Sequence, residues 1–102
     1  MKVSTATVEN RLLVKLTGEL DNHAAKSTMM EISQEIAVTA PRDCVLDLKG
    51  LTFMDSSGIA LIIKTYKLMR ETGGSFWIEN AQPQPLRVLE ASGVGKIIPI
   101  AR

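Results

Sequence analysis

Two short runs at the start of the chain, VSTATVE and LLVKL, mix β-branched or apolar residues with polar ones. Runs of this composition favour β-strands. The connection between them consists of Glu9, Asn10 and Arg11, which is short enough for a tight turn. The pattern therefore predicts that the chain begins with two antiparallel strands that form a hairpin.

The apolar positions that follow GELD recur at a helical spacing. Steps of four, three and four residues place the following side chains on one helical face: Ala25, Met29, Ile32 and Ile36. Asp21 or Asn22 can cap the start of such a helix, and Pro41 cannot continue it. We therefore expect a first helix over residues 22 to 38.

A second helical pattern follows the stretch FMDSSG and predicts a helix over residues 57 to 72. Gly73 and Gly74 readily adopt the left-handed conformation that ends many helices. The positions that suit the core share one face: Ile59, Ile62, Ile63, Tyr66 and Met69. On this assignment Leu61 points away from the core and is exposed.

The remaining segments alternate strand and helix patterns. CVLDLK, SFWIEN and KIIPI predict strands, and PQPLRVLEASG predicts a short third helix with proline at its start and glycine at its end. Strands that alternate with helices are joined by right-handed crossovers, which makes that part of the sheet parallel. We expect a single α/β domain over residues 1–102, with a mixed sheet of about five strands and helices packed against it.

Composition and charge exclude several classes of function. Twelve basic and eleven acidic side chains give a net charge of +1, and no stretch gathers Lys and Arg as binding to a phosphate backbone requires. Nucleic acid is therefore not an expected partner. The start of the chain lacks the apolar region of a signal peptide and no apolar run is long enough for a membrane span, so we expect a cytoplasmic protein without direct membrane insertion. Cys44 lies in an apolar run and is expected in the core.

The serines of FMDSSG raise the question of catalysis. Ser56 or Ser57 on a strand-to-helix turn would match the place of an α/β-hydrolase nucleophile, but MDSSG lacks the flanking small residues of G-x-S-x-G. The single histidine, His23, is expected on the first turn of helix one, where a solvated imidazole is ordinary. GVGK does not complete a phosphate-binding loop, and the acidic residues follow no metal-loop spacing. The sequence therefore predicts no enzyme, no metal and no cofactor.

Capping explains part of this stretch. Oxygens of Asp55, Ser56 and Ser57 can accept hydrogen bonds from the first N–H groups of a helix, and one such cap is worth about 1 kcal/mol. A single cap does not require all three side chains, so at least one serine hydroxyl is not used for capping. The carboxyl ends of parallel strands are where partners usually meet an α/β sheet, and Asp21 follows such a strand as well. We expect these residues to share one edge, with an exposed Leu61 beside them in a docking patch.

GELD, VLDLKGLTFMDSSGIALIIKTYKLMRETGG and PLRVLEASGVGKII together resemble the STAS-domain family, and most closely its free-standing bacterial anti-sigma factor antagonists. The resemblance implies a regulator that binds an anti-sigma factor, a serine kinase of the ATPase-like type, and so releases a sigma factor. It implies that the kinase phosphorylates Ser56, which switches the regulator off, and that a serine phosphatase reverses the reaction. Asp21, Asp55, Ser57 and Gly58 match positions around the contact surface of that family.

Two other functions stay open at this point. STAS domains also serve as subunits of membrane transport systems, including lipid-trafficking ABC complexes, in which the serine turn would contact an ATPase. A small esterase that uses Ser56 or Ser57 is the other alternative. Co-purification with a membrane transporter would favour the first, and labelling by serine-reactive probes would favour the second.

Overall fold

The computed structural model describes residues 1–101 as a sheet with helices packed against it. The strands are Lys2–Val8 (β1), Arg11–Leu20 (β2), Asp43–Met54 (β3), Ser75–Glu79 (β4) and Ile100–Ala101 (β5). The α-helices are Asn22–Thr39 (α1), Ser56–Glu71 (α2) and Pro83–Ser92 (α3). The strands lie in chain order in the sheet, β1 is antiparallel to β2, and each later pair is parallel. The predicted α/β architecture is confirmed.

The turn of the hairpin consists of Glu9 and Asn10, whose φ angles of 51° and 66° lie in the left-handed region. Two consecutive residues of this kind form a tight turn whose twist matches that of the paired strands. Val8 is therefore paired directly with Arg11. The predicted hairpin is confirmed, and its connection is shorter than expected because Arg11 already belongs to β2.

The helices cover one face of the sheet. Strands in chain order that are joined by right-handed crossovers place all the connecting helices on the same side. Side-chain burial in β2 agrees, because Leu12, Val14 and Leu16 are fully buried whereas Arg11 and Lys15 on the opposite face are exposed. The hydrophobic core is therefore one layer between the sheet and the helices.

The opposite face of the sheet carries an apolar row that crosses the strands. Its members are register partners from each strand to the next: Ala6, Leu13, Val45 and Trp77. Polar groups surround the end of this row, since the Arg11 guanidinium lies 5.0 Å from the centroid of the Trp77 ring and 3.2 Å from the Asp43 carboxylate. The Trp77 indole N–H also donates to the Glu79 carboxylate at 2.8 Å. The Trp77 end of the row is thus covered by charged side chains rather than by a helix.

The prediction that KIIPI forms a strand is wrong for most of that segment. Val94–Lys96 forms a short 3₁₀ helix, and only Ile100–Ala101 is extended. The N–H groups of Ile97 and Ile98 both donate to the Val94 carbonyl, at 3.0 and 2.9 Å. These bonds curl the chain before it can extend, which leaves β5 very short.

Other boundaries differ slightly from the prediction. β3 extends well beyond CVLDLK to Met54, because its pairing with β2 continues through two register shifts. α1 ends at Thr39, just before Pro41, and α2 begins at Ser56 rather than at the next residue. Gly73 follows the C-cap residue Thr72 of α2 and has a φ angle of 76°, so the predicted left-handed stop is confirmed.

Candidate functional site

The carboxyl ends of β2 and β3 meet at one edge of the sheet. Leu20 and Met54 are register partners, and the Asp55 N–H donates to the Leu20 carbonyl at 3.3 Å. Asp21 and Asp55 directly follow these two strand ends. The structure therefore brings both aspartates, and the serines after Asp55, to neighbouring positions on the edge where partners of α/β sheets usually bind.

Each aspartate is the N-cap of the helix that follows it. One carboxylate oxygen of Asp21 accepts hydrogen bonds from the N–H groups of His23 and Ala24, both at 3.0 Å. The Asp55 carboxylate accepts one hydrogen bond, from the Ser57 N–H at 2.8 Å. Of the two capping candidates for α1, Asp21 performs the role and Asn22 is the first helical residue.

The two serines are not needed as caps. Ser56 is exposed and Ser57 is half-buried at the first positions of α2. Within residues 1–101, neither hydroxyl makes a hydrogen bond to another protein group. Ser56 therefore presents a hydroxyl to solvent at the start of a helix, where backbone N–H groups and the helix dipole favour a negative group.

Gly58 is buried on the third position of α2, against the end of β3. A Cβ atom on this residue would overlap Cγ of Met54 and would lie 2.5 Å from its Sδ and 3.2 Å from Cδ2 of Leu20. The absence of a side chain thus allows the first turn of α2 to approach the sheet closely. The resemblance of the sequence placed Gly58 around the contact surface. In the structure it is buried and packs beneath the serines.

The expectation that Leu61 is exposed is wrong. Its side chain is only 2% exposed, and the buried face of α2 consists of Gly58, Leu61, Ile62, Thr65 and Met69. Because four aliphatic residues fall within five positions, helical spacing alone does not decide which of them face inward. The close approach of Gly58 to Met54 rotates α2 so that Leu61 turns in and Ala60 stays exposed.

Gln84 supports the serine turn from α3, and sequence reasoning missed it. β4 is paired with β3 only as far as Asp47, so the last residues of β3 have no strand neighbour on that side. The side-chain amide of Gln84 makes the hydrogen bonds that a neighbouring strand would make. Its Oε1 accepts from the Met54 N–H at 2.9 Å, and its Nε2 donates to the Met54 carbonyl at 3.1 Å. No local pattern could have revealed this contact, because Gln84 and Met54 are 30 residues apart.

The described residues offer little for chemistry at this edge. His23 is exposed on the first turn of α1, and neither serine forms a hydrogen bond with it. Within residues 1–101, no group of three or more His, Cys, Asp and Glu side chains is clustered as a metal site. Cys44 is fully buried, as predicted, and this burial raises the pKa of its thiol to about 12, so the thiol is neutral and shielded at physiological pH.

A membrane span would need a long apolar helix, and none of the helices in residues 1–101 has both the length and the hydropathy for one.

Fold and edge together define a small α/β domain with a serine turn at the carboxyl end of its central strand. Residues 2–102 match the model of the STAS domain, so the chain belongs to the STAS-domain family. Among curated proteins, the anti-sigma F factor antagonist of Paenibacillus polymyxa is 40% identical over 89 residues, which are 87% of this chain and 76% of that protein.

Solved structures similar to this chain include anti-sigma factor antagonists. The unphosphorylated form of the anti-sigma factor antagonist SpoIIAA is 27% identical, with a TM-score of 0.85 over 99% of this chain and 89% of that one. The phosphorylated form of the Bacillus cell fate determinant SpoIIAA is 26% identical, with a TM-score of 0.75 over 99% of this chain and 92% of that one. The similarity therefore extends over nearly the whole domain.

Proposed function

We propose that this protein is an anti-sigma factor antagonist. It binds an anti-sigma factor of the serine-kinase type through the edge formed by Asp21, Asp55, Ser56 and Ser57, and thereby releases a sigma factor. Phosphorylation of Ser56 by that kinase ends the binding, and a serine phosphatase restores it. The protein acts in the cytoplasm on transcription, without contacting DNA and without a catalytic reaction of its own.

The observation that carries this proposal is the state of Ser56. Its hydroxyl is exposed, makes no hydrogen bond within residues 1–101, and lies at the start of α2 beside two aspartate caps. A kinase can reach such a hydroxyl without unfolding the domain. Named relatives support the same function, since both the 40% identical protein and SpoIIAA are antagonists of anti-sigma factors.

The folded domain tolerates a phosphate at this position. Phosphorylation adds about −1.5 to −2 charges, and a helix N-terminus stabilises a negative group by about 0.3 to 1 kcal/mol. The Ser56 N–H of the first turn of α2 is available to it, since it makes no hydrogen bond within residues 1–101, whereas the Ser57 and Gly58 N–H groups donate to the carboxylate and the carbonyl of Asp55. Phosphorylation therefore changes what the domain binds rather than whether it folds.

A closed interface does not tolerate the same charge. The phosphate would lose water next to the Asp55 carboxylate, and neither Asp21 nor Asp55 forms an ion pair with a cation in residues 1–101. Burial of an uncompensated charge costs several kcal/mol. Since each 1.4 kcal/mol is a factor of about ten in affinity, ~3 kcal/mol weakens binding a hundredfold or more. The free-energy cost of burying the phosphate at the interface therefore exceeds the stabilisation that the helix dipole gives it.

The test uses the purified protein and the ATPase-like anti-sigma factors encoded in its source genome. With ATP and Mg²⁺, we expect one of these kinases to add a single phosphate, which mass spectrometry places on Ser56. Ser56→Ala should accept no phosphate. Ser57→Ala is the matched control for the site of modification, because it removes the neighbouring hydroxyl and keeps that of Ser56, so its phosphate should still lie on Ser56.

Calorimetric titration of the same kinase tests the switch. Wild-type protein should bind, and Ser56→Asp should bind at least a hundredfold more weakly, for the electrostatic reason given above. Equal binding by Ser56→Asp and wild type would overturn the proposal, as would the absence of binding to every such kinase. Co-purification with a membrane transporter instead would assign the domain to transport.

A further inference from the structure

A groove between α1 and α2 begins at the serine turn. It encloses about 450 Å³ and runs from Asn22 to Ser33 on α1 and from Ser57 to Lys64 on α2. Ser57 and Lys64 are seven residues apart, which corresponds to about 10 Å along a helix, or two turns. The groove is therefore continuous with the proposed contact edge and long enough for a short helical segment.

Apolar side chains form the walls of this groove. Ala25 and Met29 contribute from α1, and Ala60 and a small part of Leu61 contribute from α2. Met30 lies at the rim and is 54% exposed, although it is a large apolar residue. Methionine side chains are flexible and polarisable, so they adapt to different apolar partners. An apolar side chain of a partner can therefore be received here.

Cations flank the groove on both helices. Lys26 on α1 and Lys64 on α2 line it, both are exposed, and neither forms an ion pair within residues 1–101. Among residues 1–101, no acidic side chain lines the groove. The charge of this surface is thus positive on both sides of an apolar floor, which complements an acidic and amphipathic partner.

We propose that this groove receives an amphipathic helix of the anti-sigma factor, with an apolar residue against Met30 and carboxylates paired with Lys26 and Lys64. The inference rests on the proposed function and deepens it, because it assigns a second contact region and its chemistry. It also strengthens the switch, since an acidic segment that ends near Ser56 is repelled by a phosphate there. Positive charge in the groove attracts the partner, and negative charge at its mouth rejects it.

Charge reversal tests the groove. Lys26→Glu and Lys64→Glu should each weaken binding of the anti-sigma factor about tenfold and should reduce the dependence of binding on salt. Lys67→Glu is the matched control, because it makes the same change on an exposed residue of α2 that does not line the groove. Its affinity should stay close to that of wild type. Exchange of a partner carboxylate for lysine should restore binding to Lys64→Glu.

Each outcome separates the two proposals. Unchanged binding by both Lys26→Glu and Lys64→Glu, with binding still lost in Ser56→Asp, would overturn the groove and leave the proposed function standing. Failure of Ser56→Asp to weaken binding would overturn the proposed function itself. Sedimentation of the isolated protein shows whether a second copy occupies the groove: a dimer that Met30→Asp dissociates would contradict the assignment to the anti-sigma factor. Circular dichroism confirms that each variant is folded.

Discussion

The starts of α1 and α2 occupy equivalent places in the fold but differ in chemistry. Both helices follow a parallel strand, and both have an aspartate N-cap. After Asp21 the first helical positions are Asn22, His23 and Ala24; after Asp55 they are Ser56, Ser57 and Gly58. Asp21 binds two backbone N–H groups, whereas Asp55 binds one.

This difference shows that α2 contains more than a helix needs in order to start. The α1 cap satisfies two N–H groups with one carboxylate, so serine hydroxyls are not required for capping in this environment. At α2 the hydroxyl of Ser56 stays free, and Gly58 draws the turn close to the sheet. The start of α2 therefore carries a free hydroxyl that capping does not explain, and four pairs of variants test that comparison.

The largest effect on stability is expected at the third helical position, where α2 has Gly58 and α1 has Ala24. Gly58→Ala should lower the free energy of unfolding by about 2 kcal/mol, because its methyl group displaces Met54 and Leu20 and the gain in helix propensity offsets only part of that loss. Urea unfolding measures the change.

Ala24→Gly is the reciprocal variant. It should be destabilising by about 1 kcal/mol through lost helix propensity and the loss of a half-buried methyl group. The two positions thus have opposite requirements for a Cβ atom. If Gly58→Ala were as stable as wild type, close packing would not be the reason for glycine at the start of α2.

The second largest loss of stability is expected when Gln84 is changed. This residue holds the Met54 backbone before the start of α2 and has no described counterpart before α1. Gln84→Ala leaves the N–H and carbonyl of Met54 without their partner, which should lower the free energy of unfolding by about 1 to 2 kcal/mol. Gln82→Ala serves as the control, because Gln82 donates a single hydrogen bond to the exposed Lys49 carbonyl. If the midpoint temperature of thermal unfolding shifted equally in both variants, Gln84 would have no special role.

The third largest loss of stability is expected when an N-cap aspartate is removed. Asp21→Ala should lower the free energy of unfolding by about 1 kcal/mol and Asp55→Ala by about 0.5 kcal/mol, because the first carboxylate accepts more hydrogen bonds. Asp→Asn changes at both sites keep an oxygen acceptor while removing the charge, and they should recover most of the loss. A larger loss at Asp55 in urea unfolding would contradict this ranking.

The smallest effect concerns added charge at the first helical position. Asn22→Asp and Ser56→Asp should each change the free energy of unfolding by less than about 1 kcal/mol, since attraction to the helix dipole and repulsion by the preceding aspartate oppose each other. Their effects on kinase binding should differ, with the large loss at Ser56. Destabilisation of Ser56→Asp by more than ~2 kcal/mol in urea would mean that phosphorylation acts through unfolding.

Local signals predicted much of this fold. Asp21, Pro41 and Gly73 mark helix ends because capping and backbone conformation depend on a few neighbouring residues. The hairpin and the parallel βα units follow from strand and helix patterns in the same way. The apolar segment KIIPI gave the wrong prediction, since the bonds of Ile97 and Ile98 to Val94 were not visible in its hydrophobic pattern.

The candidate site was predicted less completely, because parts of it depend on tertiary contacts. Residues of DSSG stand out in the sequence, and the structure places them beside Asp21. The burial of Leu61 follows from how α2 rests on Met54, and the contact of Gln84 joins segments that are distant in the chain. Helical periodicity determines which residues share a face, but neighbouring elements decide which face turns inward.

Trp77, the single tryptophan, lies on the sheet surface that the helices leave open. Its indole lies on the other side of the sheet from the helices that line the groove, so its fluorescence should report on the integrity of the sheet rather than on an occupant of the helical side. Unfolding of the free protein can therefore be followed from a native chromophore, without a label on the side that carries the serine turn.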